Sequence, residues 1–163
     1  RADGRAPPRP AARLALRMRE LPRKLTAAQL ADLFEGRTSL VERLAELENP
    51  LEHAEDVLVG LSAEEKLEAL AAHPAIGQRT GLSARSAAEQ GDDADQAVLD
   101  ELERLNRQYE ATLGFRFVVF VDGRSKSEIL EVLRSRIRRT KEEELETGCR
   151  ELVAIARDRW TRT

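Results

Sequence analysis

The chain has 163 residues, with 27 Lys and Arg against 30 Asp and Glu and a formal net charge of −3. That length fits one domain that buries about two-thirds of its unfolded surface and needs no disulfide or metal staple. One cysteine and two histidines exclude a disulfide framework and a classical zinc site, no apolar run approaches the ~20 residues that span a bilayer, and the bulk charge does not suit a nucleic-acid binder. Residues 1–24 differ from the rest. They carry eight basic residues against Asp3 and Glu20, and Pro7, Pro8 and Pro10 make a poor helix. This stretch does not begin with Met and is expected to be a basic leader or linker, with residues 25–163 as the domain.

Aromatic residues are only 4% of the chain, so the expected core is aliphatic, and abundant Ala, Leu, Glu and Arg predict an all-α fold. From Thr26 onward, short helices each carry a start signal. Six Ser/Thr-x-x-Glu/Gln boxes occur, at Thr26/Gln29, Ser39/Glu42, Ser62/Glu65, Ser86/Glu89, Ser125/Glu128 and Thr140/Glu143. In such a box the hydroxyl accepts from an orphan N–H of the first turn, and the acid or amide reaches back to the cap. Stops are expected at Gly36, Pro50, Gly60 and His73-Pro74. A longer helix is predicted over about Asp95 to Leu113, ending at Gly114, because Val98, Leu102, Leu105, Tyr109 and Leu113 recur at helical spacing. Phe115 to Val121 is apolar almost throughout and reads either as a buried extended segment or as a buried helical turn. No second strand is in view to pair with it, so a sheet fold is not expected. Helices resume near Ser127 to Arg139 and Lys141 to Trp160.

Three residues stand out for chemistry. His73 closes a helix before Pro74, beside a loop that holds Gly77 and Gly81. The partial negative charge of a helix C-terminus favours a protonated imidazole there. The plainer reading is a histidine that caps the last carbonyls. Glu89 sits in a capping box with Ser86, and a helix N-terminus there would also suit an anionic ligand. On a helical wheel of the last helix, Leu145, Cys149, Leu152, Ile155, Ala156 and Trp160 share one face, and Arg159 falls among them. A guanidinium on an apolar stripe either snorkels to water or meets a buried anion. Cys149 reads as core. The runs Glu142 to Glu144 and Arg136 to Arg139 read as solvated faces, and Gly123-Arg124-Ser125 as a helix entry that could also hold an anion.

Separated pieces of the chain resemble one family. They are His73-Pro74-Ala75-Ile76-Gly77, Ser86-Ala87-Ala88-Glu89-Gln90, Leu105-Asn106-Arg107-Gln108-Tyr109, Gly114-Phe115-Arg116-Phe117 and Ile155-Ala156-Arg157-Asp158-Arg159. Their order and spacing are similar to the 2-oxo-4-hydroxy-4-carboxy-5-ureidoimidazoline (OHCU) decarboxylases over roughly residues 26–160. The resemblance implies a single all-α, multi-helix domain, a homodimer, and a carboxy-lyase that turns OHCU into (S)-allantoin in urate breakdown with neither cofactor nor metal. It matches His73, Glu89 and Arg159 to the family's catalytic residues. It matches Pro74, Ser86, Ala87, Ala88, Gln90, Phe117, Val118, Val119, Phe120 and Val121 to substrate-contacting stretches, much of that contact through the backbone. Where the family often reads Phe-Gly-Phe-Pro-Phe, this chain has Leu113-Gly114-Phe115-Arg116-Phe117. A Pro-Phe found upstream is Pro50-Leu51 here, and Asp122 stands where some relatives carry arginine.

The resemblance therefore leads to a small-molecule ureide as partner, with no nucleic acid and no membrane, and one cysteine without a signal peptide suits the cytoplasm. Two other readings compete. One is a non-catalytic helical interaction module on this scaffold, or a paralogue acting on a related ureide. The other is a small nucleic-acid regulator that uses the basic leader, against which the acidic remainder argues.

Overall fold

The structure, a computed structural model, describes residues 19–77, 83, 85, 86, 89 and 95–163. Seven helices and no strand occur among the described residues. They are α1 (Ala27–Phe34), α2 (Ser39–Ala45), α3 (Ala54–Val59), α4 (Ala63–Ala72), α5 (Gln96–Leu113), α6 (Lys126–Arg136) and α7 (Lys141–Arg162). Complete capping boxes start α1, α4, α6 and α7 at Thr26, Ser62, Ser125 and Thr140, as the spacing predicts. The box expected at Ser39/Glu42 shifts by one residue. Thr38 is the cap and accepts from the Val41 N–H, while the Ser39 N–H donates to Glu68. That register turns Leu40, Val41 and Leu44 inward.

The helix ends also follow local chemistry. His73 closes α4 and Gly60 closes α3. Gly114 closes α5 with φ 83°, a left-handed conformation that glycine adopts without a side-chain clash. The first helix stops one residue before Gly36, because Glu35 itself takes the left-handed position at φ 67°. The second stops at Ala45, well before Pro50.

Helix α7 is the spine. It packs against α1, α3 and α4, while α5 pairs with α6. Its inner face buries Glu144, Gly148, Cys149, Leu152, Val153, Ile155, Ala156 and Arg159. Leu30, Leu40, Leu44, Leu51, Leu70 and Leu102 are wholly inaccessible and form the aliphatic core the composition predicts. Each such burial is worth roughly 1.5–3 kcal/mol against exposure. An aromatic cluster adds to it, with Tyr109 edge-on to Phe115 at 5.9 Å and to Phe117 at 5.3 Å.

Two charge runs differ from the solvated faces expected of them. Arg136 and Glu144 are buried and paired at 2.8 Å. Glu144 also accepts from the Tyr109 hydroxyl at 2.6 Å and from Arg139 at 3.0 Å. The cause is helical register. Arg136 follows Ile129 and Leu133 on the buried side of α6, and Glu144 precedes Gly148 and Leu152 on that of α7.

The segment 115–121 is neither strand nor helix. Side chains satisfy its backbone instead. Arg136 donates to the Val118 carbonyl at 2.8 Å, the Phe120 N–H donates to Glu151 at 2.7 Å, and Arg124 donates to the Phe120 and Val121 carbonyls at 2.5 and 3.1 Å. Arg124 is thus spent on carbonyls, and Ser125 caps α6. At the other end of the described chain, Arg19 stacks 3.8 Å over the Trp160 ring, and the Trp160 indole N–H donates to the Glu20 carbonyl at 2.8 Å. No helix among the described residues is long and apolar enough to cross a membrane.

Candidate active site

A cavity of about 190 Å³ opens where the C-terminus of α4, the segment 115–121 and the last turns of α7 converge. His73, Pro74, Ser86, Glu89, Phe117, Val118, Val119, Phe120 and Val121 line it, joined by Ile76, Asp122, Gly123, Ile155, Asp158 and Arg162. Ala87, Ala88 and Gln90 lie outside the described residues. Residues from distant parts of the sequence therefore meet on one wall.

His73 is buried, and its Nδ1 atom has no hydrogen-bond partner. It does not cap its own helix with its ring. Arg116 takes that place, donating to the His73 carbonyl at 2.6 Å and the Ala71 carbonyl at 3.3 Å. The arginine found where the family often has proline thus closes α4 and leaves the imidazole to the cavity. The helix-end argument for a charged imidazole is outweighed. Burial first, then the Arg159 and Arg116 cations, push the His73 pKa from 6.5 down to about 4, against the opposing pull of Glu35. His73 is a neutral imidazole at neutral pH.

Arg159 lies on the buried face of α7 and is 2% exposed. It stands behind the cavity wall and reaches the cavity through its partners. Its Nε donates to Glu89 at 2.7 Å, and one terminal nitrogen donates to the second Glu89 oxygen at 2.9 Å. The same nitrogen donates to the Ser86 hydroxyl at 3.0 Å, and the other terminal nitrogen donates to the Leu33 carbonyl at 2.9 Å. Burial opposes the charge on Arg159, but the Glu89 and Glu35 carboxylates overcome it and hold the guanidinium protonated.

The capping box expected at Ser86/Glu89 is replaced by long-range pairing. The Ser83 hydroxyl accepts from the Ser86 N–H, which frees the Ser86 side chain. The Ser86 hydroxyl donates to Glu35 at 2.5 Å, and Glu89 is committed to Arg159. Glu35 is the residue that sequence reasoning missed. One carboxylate oxygen accepts from Ser83 at 2.6 Å, from Ser86, and from Arg159 at 3.0 Å. Burial raises its pKa, but these donors together bring it below the ordinary carboxylate value. The sequence gives no signal for it, because Gly36 is the expected helix stop and only the structure puts Glu35 in the left-handed position.

His53, the other histidine, lies far along the chain at the start of α3, half exposed and 3.6 Å from Asp56. Among the described residues, no group of three or more His, Cys, Asp or Glu side chains is placed to hold a metal ion. Cys149 is buried, and burial pushes its thiol up to about 11.

The OHCU decarboxylase family model matches residues 19–161, nearly the whole chain. The chain belongs to the OHCU decarboxylase family. The 2-oxo-4-hydroxy-4-carboxy-5-ureidoimidazoline decarboxylase of Haloferax volcanii is 31% identical over 99 residues, 58% of this chain and 59% of that protein. The uric acid degradation bifunctional protein of Bacillus subtilis is 28% identical over 141 residues, 80% of this chain and 28% of that one. The chain thus spans about three-fifths of the first of these relatives and little more than a quarter of the second. Among solved structures, an OHCU decarboxylase determined in the presence of (S)-allantoin superposes with a TM-score of 0.70 at 22% identity, covering 82% of this chain and 96% of that chain. An (S)-allantoin synthase superposes with a TM-score of 0.61 at 25% identity, covering 83% and 47%. The helical fold of this OHCU decarboxylase family member is therefore shared with the solved OHCU decarboxylase structure.

Proposed function

We propose that this chain decarboxylates 2-oxo-4-hydroxy-4-carboxy-5-ureidoimidazoline to (S)-allantoin, with His73, Glu89 and Arg159 as its working set. The observation that carries the reading is the cavity wall, where an imidazole whose Nδ1 has no hydrogen-bond partner shares one small cavity with a carboxylate backed by a buried guanidinium. Family membership supplies the substrate class, and the Haloferax volcanii relative is named for this decarboxylation.

The chemistry needs little more. The bond from ring carbon 4 to its carboxylate breaks and CO₂ leaves. The electron pair moves into the ring, forming the carbon 4–carbon 5 double bond, and the former imine nitrogen takes a proton. The 4-hydroxyl then gives up its proton as carbon 5 gains one, leaving the 4-carbonyl of allantoin. The substrate's own imine is the electron sink. The protein orients the ring, stabilises developing charge and delivers a proton to one face. A neutral His73 can accept the hydroxyl proton and return it to carbon 5, a task suited to an imidazole that is not already charged. Glu89 accepts from the hydroxyl or the ureido N–H groups. Arg159, through its partners or directly once Glu89 turns away, stabilises the oxygen that gains charge. Pro74, Ser86 and the segment from Phe117 to Val121 shape the wall.

The test is turnover of OHCU made in situ by feeding urate through urate oxidase and hydroxyisourate hydrolase, with (S)-allantoin followed by circular dichroism. Spontaneous decay gives racemic product, so the chiral signal separates enzyme from background. The expected result is a fast rise of one enantiomer that falls by about 10²-fold or more in His73→Ala. A wild-type trace no faster or more chiral than buffer overturns the reading and favours a paralogue or a binding module.

The same reading includes a homodimer working in the cytoplasm. Family likeness supports the dimer. A monomer in sedimentation equilibrium at micromolar concentration would remove that part.

A further inference from the structure

We propose that Glu35 is a positioning residue, the fixed counter-ion of Arg159 that leaves Glu89 free to exchange its bonds for the substrate's. The inference rests on the functional reading above but is carried by different observations. A buried guanidinium needs a carboxylate, and stripping its only partner would leave an uncompensated charge. Arg159 has two. Glu89 lines the cavity and is a quarter exposed, whereas Glu35 is absent from the cavity lining and its side chain is 13% exposed. Only the first can turn toward a ligand without passing through protein. The second is held by the Ser83 and Ser86 hydroxyls and by Arg159, all on one oxygen.

The backbone supports the same division. Glu35 takes φ 67° at the end of α1, where glycine fits without strain and other side chains do not. A residue chosen for the helix end alone would be glycine. The strain is compensated by what the carboxylate holds. The neighbouring Leu33 carbonyl accepts from Arg159 as well, so the end of α1 grips the guanidinium from the side away from the cavity. When Glu89 leaves to meet the ligand, Arg159 keeps one carboxylate, one carbonyl and one hydroxyl. Without Glu35, each such departure strands a buried charge.

Glu35→Gly is the discriminating variant, because it relieves the backbone while removing the clamp. We expect the melting temperature to stay within a few degrees of wild type and kcat for OHCU to fall at least tenfold, with KM changed less. Glu35→Gln, which keeps the shape and loses the charge, should behave in the same way. Unchanged kcat in both variants overturns the proposal, as does a loss of turnover that only tracks loss of fold. A second arm needs no substrate. In denaturant unfolding, Glu35→Gln and Glu89→Gln should each be mild and their combination markedly worse than the sum, since only then is Arg159 without a carboxylate. If wild type turns over no OHCU, the ureide reading falls and this cycle decides alone. Additive effects overturn the clamp, and a large excess in the double variant upholds it.

Discussion

His73 shows how a single side chain can invert an expectation built on its neighbours. A helix C-terminus by itself favours the imidazolium, yet the surrounding burial and the Arg159 and Arg116 cations make the neutral form dominant, with a pKa near 4. Two consequences follow. For catalysis, kcat/KM should show no limb near pH 6.5 from this residue, and His73 should lose its neutral form only toward pH 4. For stability, the sign is set by linkage. Between the unfolded value of 6.5 and the folded value of about 4, the unfolded chain binds a proton that the folded chain refuses. Stability therefore falls as pH drops through that window, by about 3 kcal/mol from this group. Urea titrations at pH 7 and pH 4.5 on wild type and His73→Asn should show a smaller acid loss in the variant. An equal loss in both would contradict the burial argument.

At the scale of elements, most of the legible information was local. Capping boxes at Thr26, Ser62, Ser125 and Thr140 act within one turn, so four residues suffice to recognise them. The Gly114 stop and the helical face of α7 are local in the same sense. What escaped was long-range. Ser86 and Glu89 have the spacing of a box, but their side chains go to Glu35 and Arg159, which are 51 and 70 residues away in the chain. The buried Arg136–Glu144 pair hides in runs of like charge, because composition does not tell the inner side of a helix from the outer. The segment 115–121 is undecidable by periodicity because arginine and glutamate side chains, and not a neighbouring strand, satisfy its backbone. Gly148 belongs to this scale too. A Cβ there would sit 3.0 Å from Leu70 Cδ2, so α4 and α7 approach at a glycine. Gly148→Val should destabilise by roughly 1–3 kcal/mol through overpacking, read as a lower urea midpoint at unchanged m-value. A neutral result would mean that Leu70 has room to move aside.

Considered whole, the molecule brings the early and late parts of its chain together. The Arg159 bond to Leu33 spans 126 residues, and the Trp160 bond to Glu20 spans 140. Helical proteins usually fold fast because their contacts are near in sequence, whereas distant contacts require loop closure first. This one carries the fold class of a fast folder with the wiring of a slower one. Trp160 is the sole tryptophan and sits at that junction, next to Arg159. Its emission is thus a built-in clock for ring closure of the chain. In stopped-flow refolding it should recover over milliseconds or longer, not the microseconds of small helical bundles. A microsecond recovery would show that the two ends find each other without waiting for what lies between.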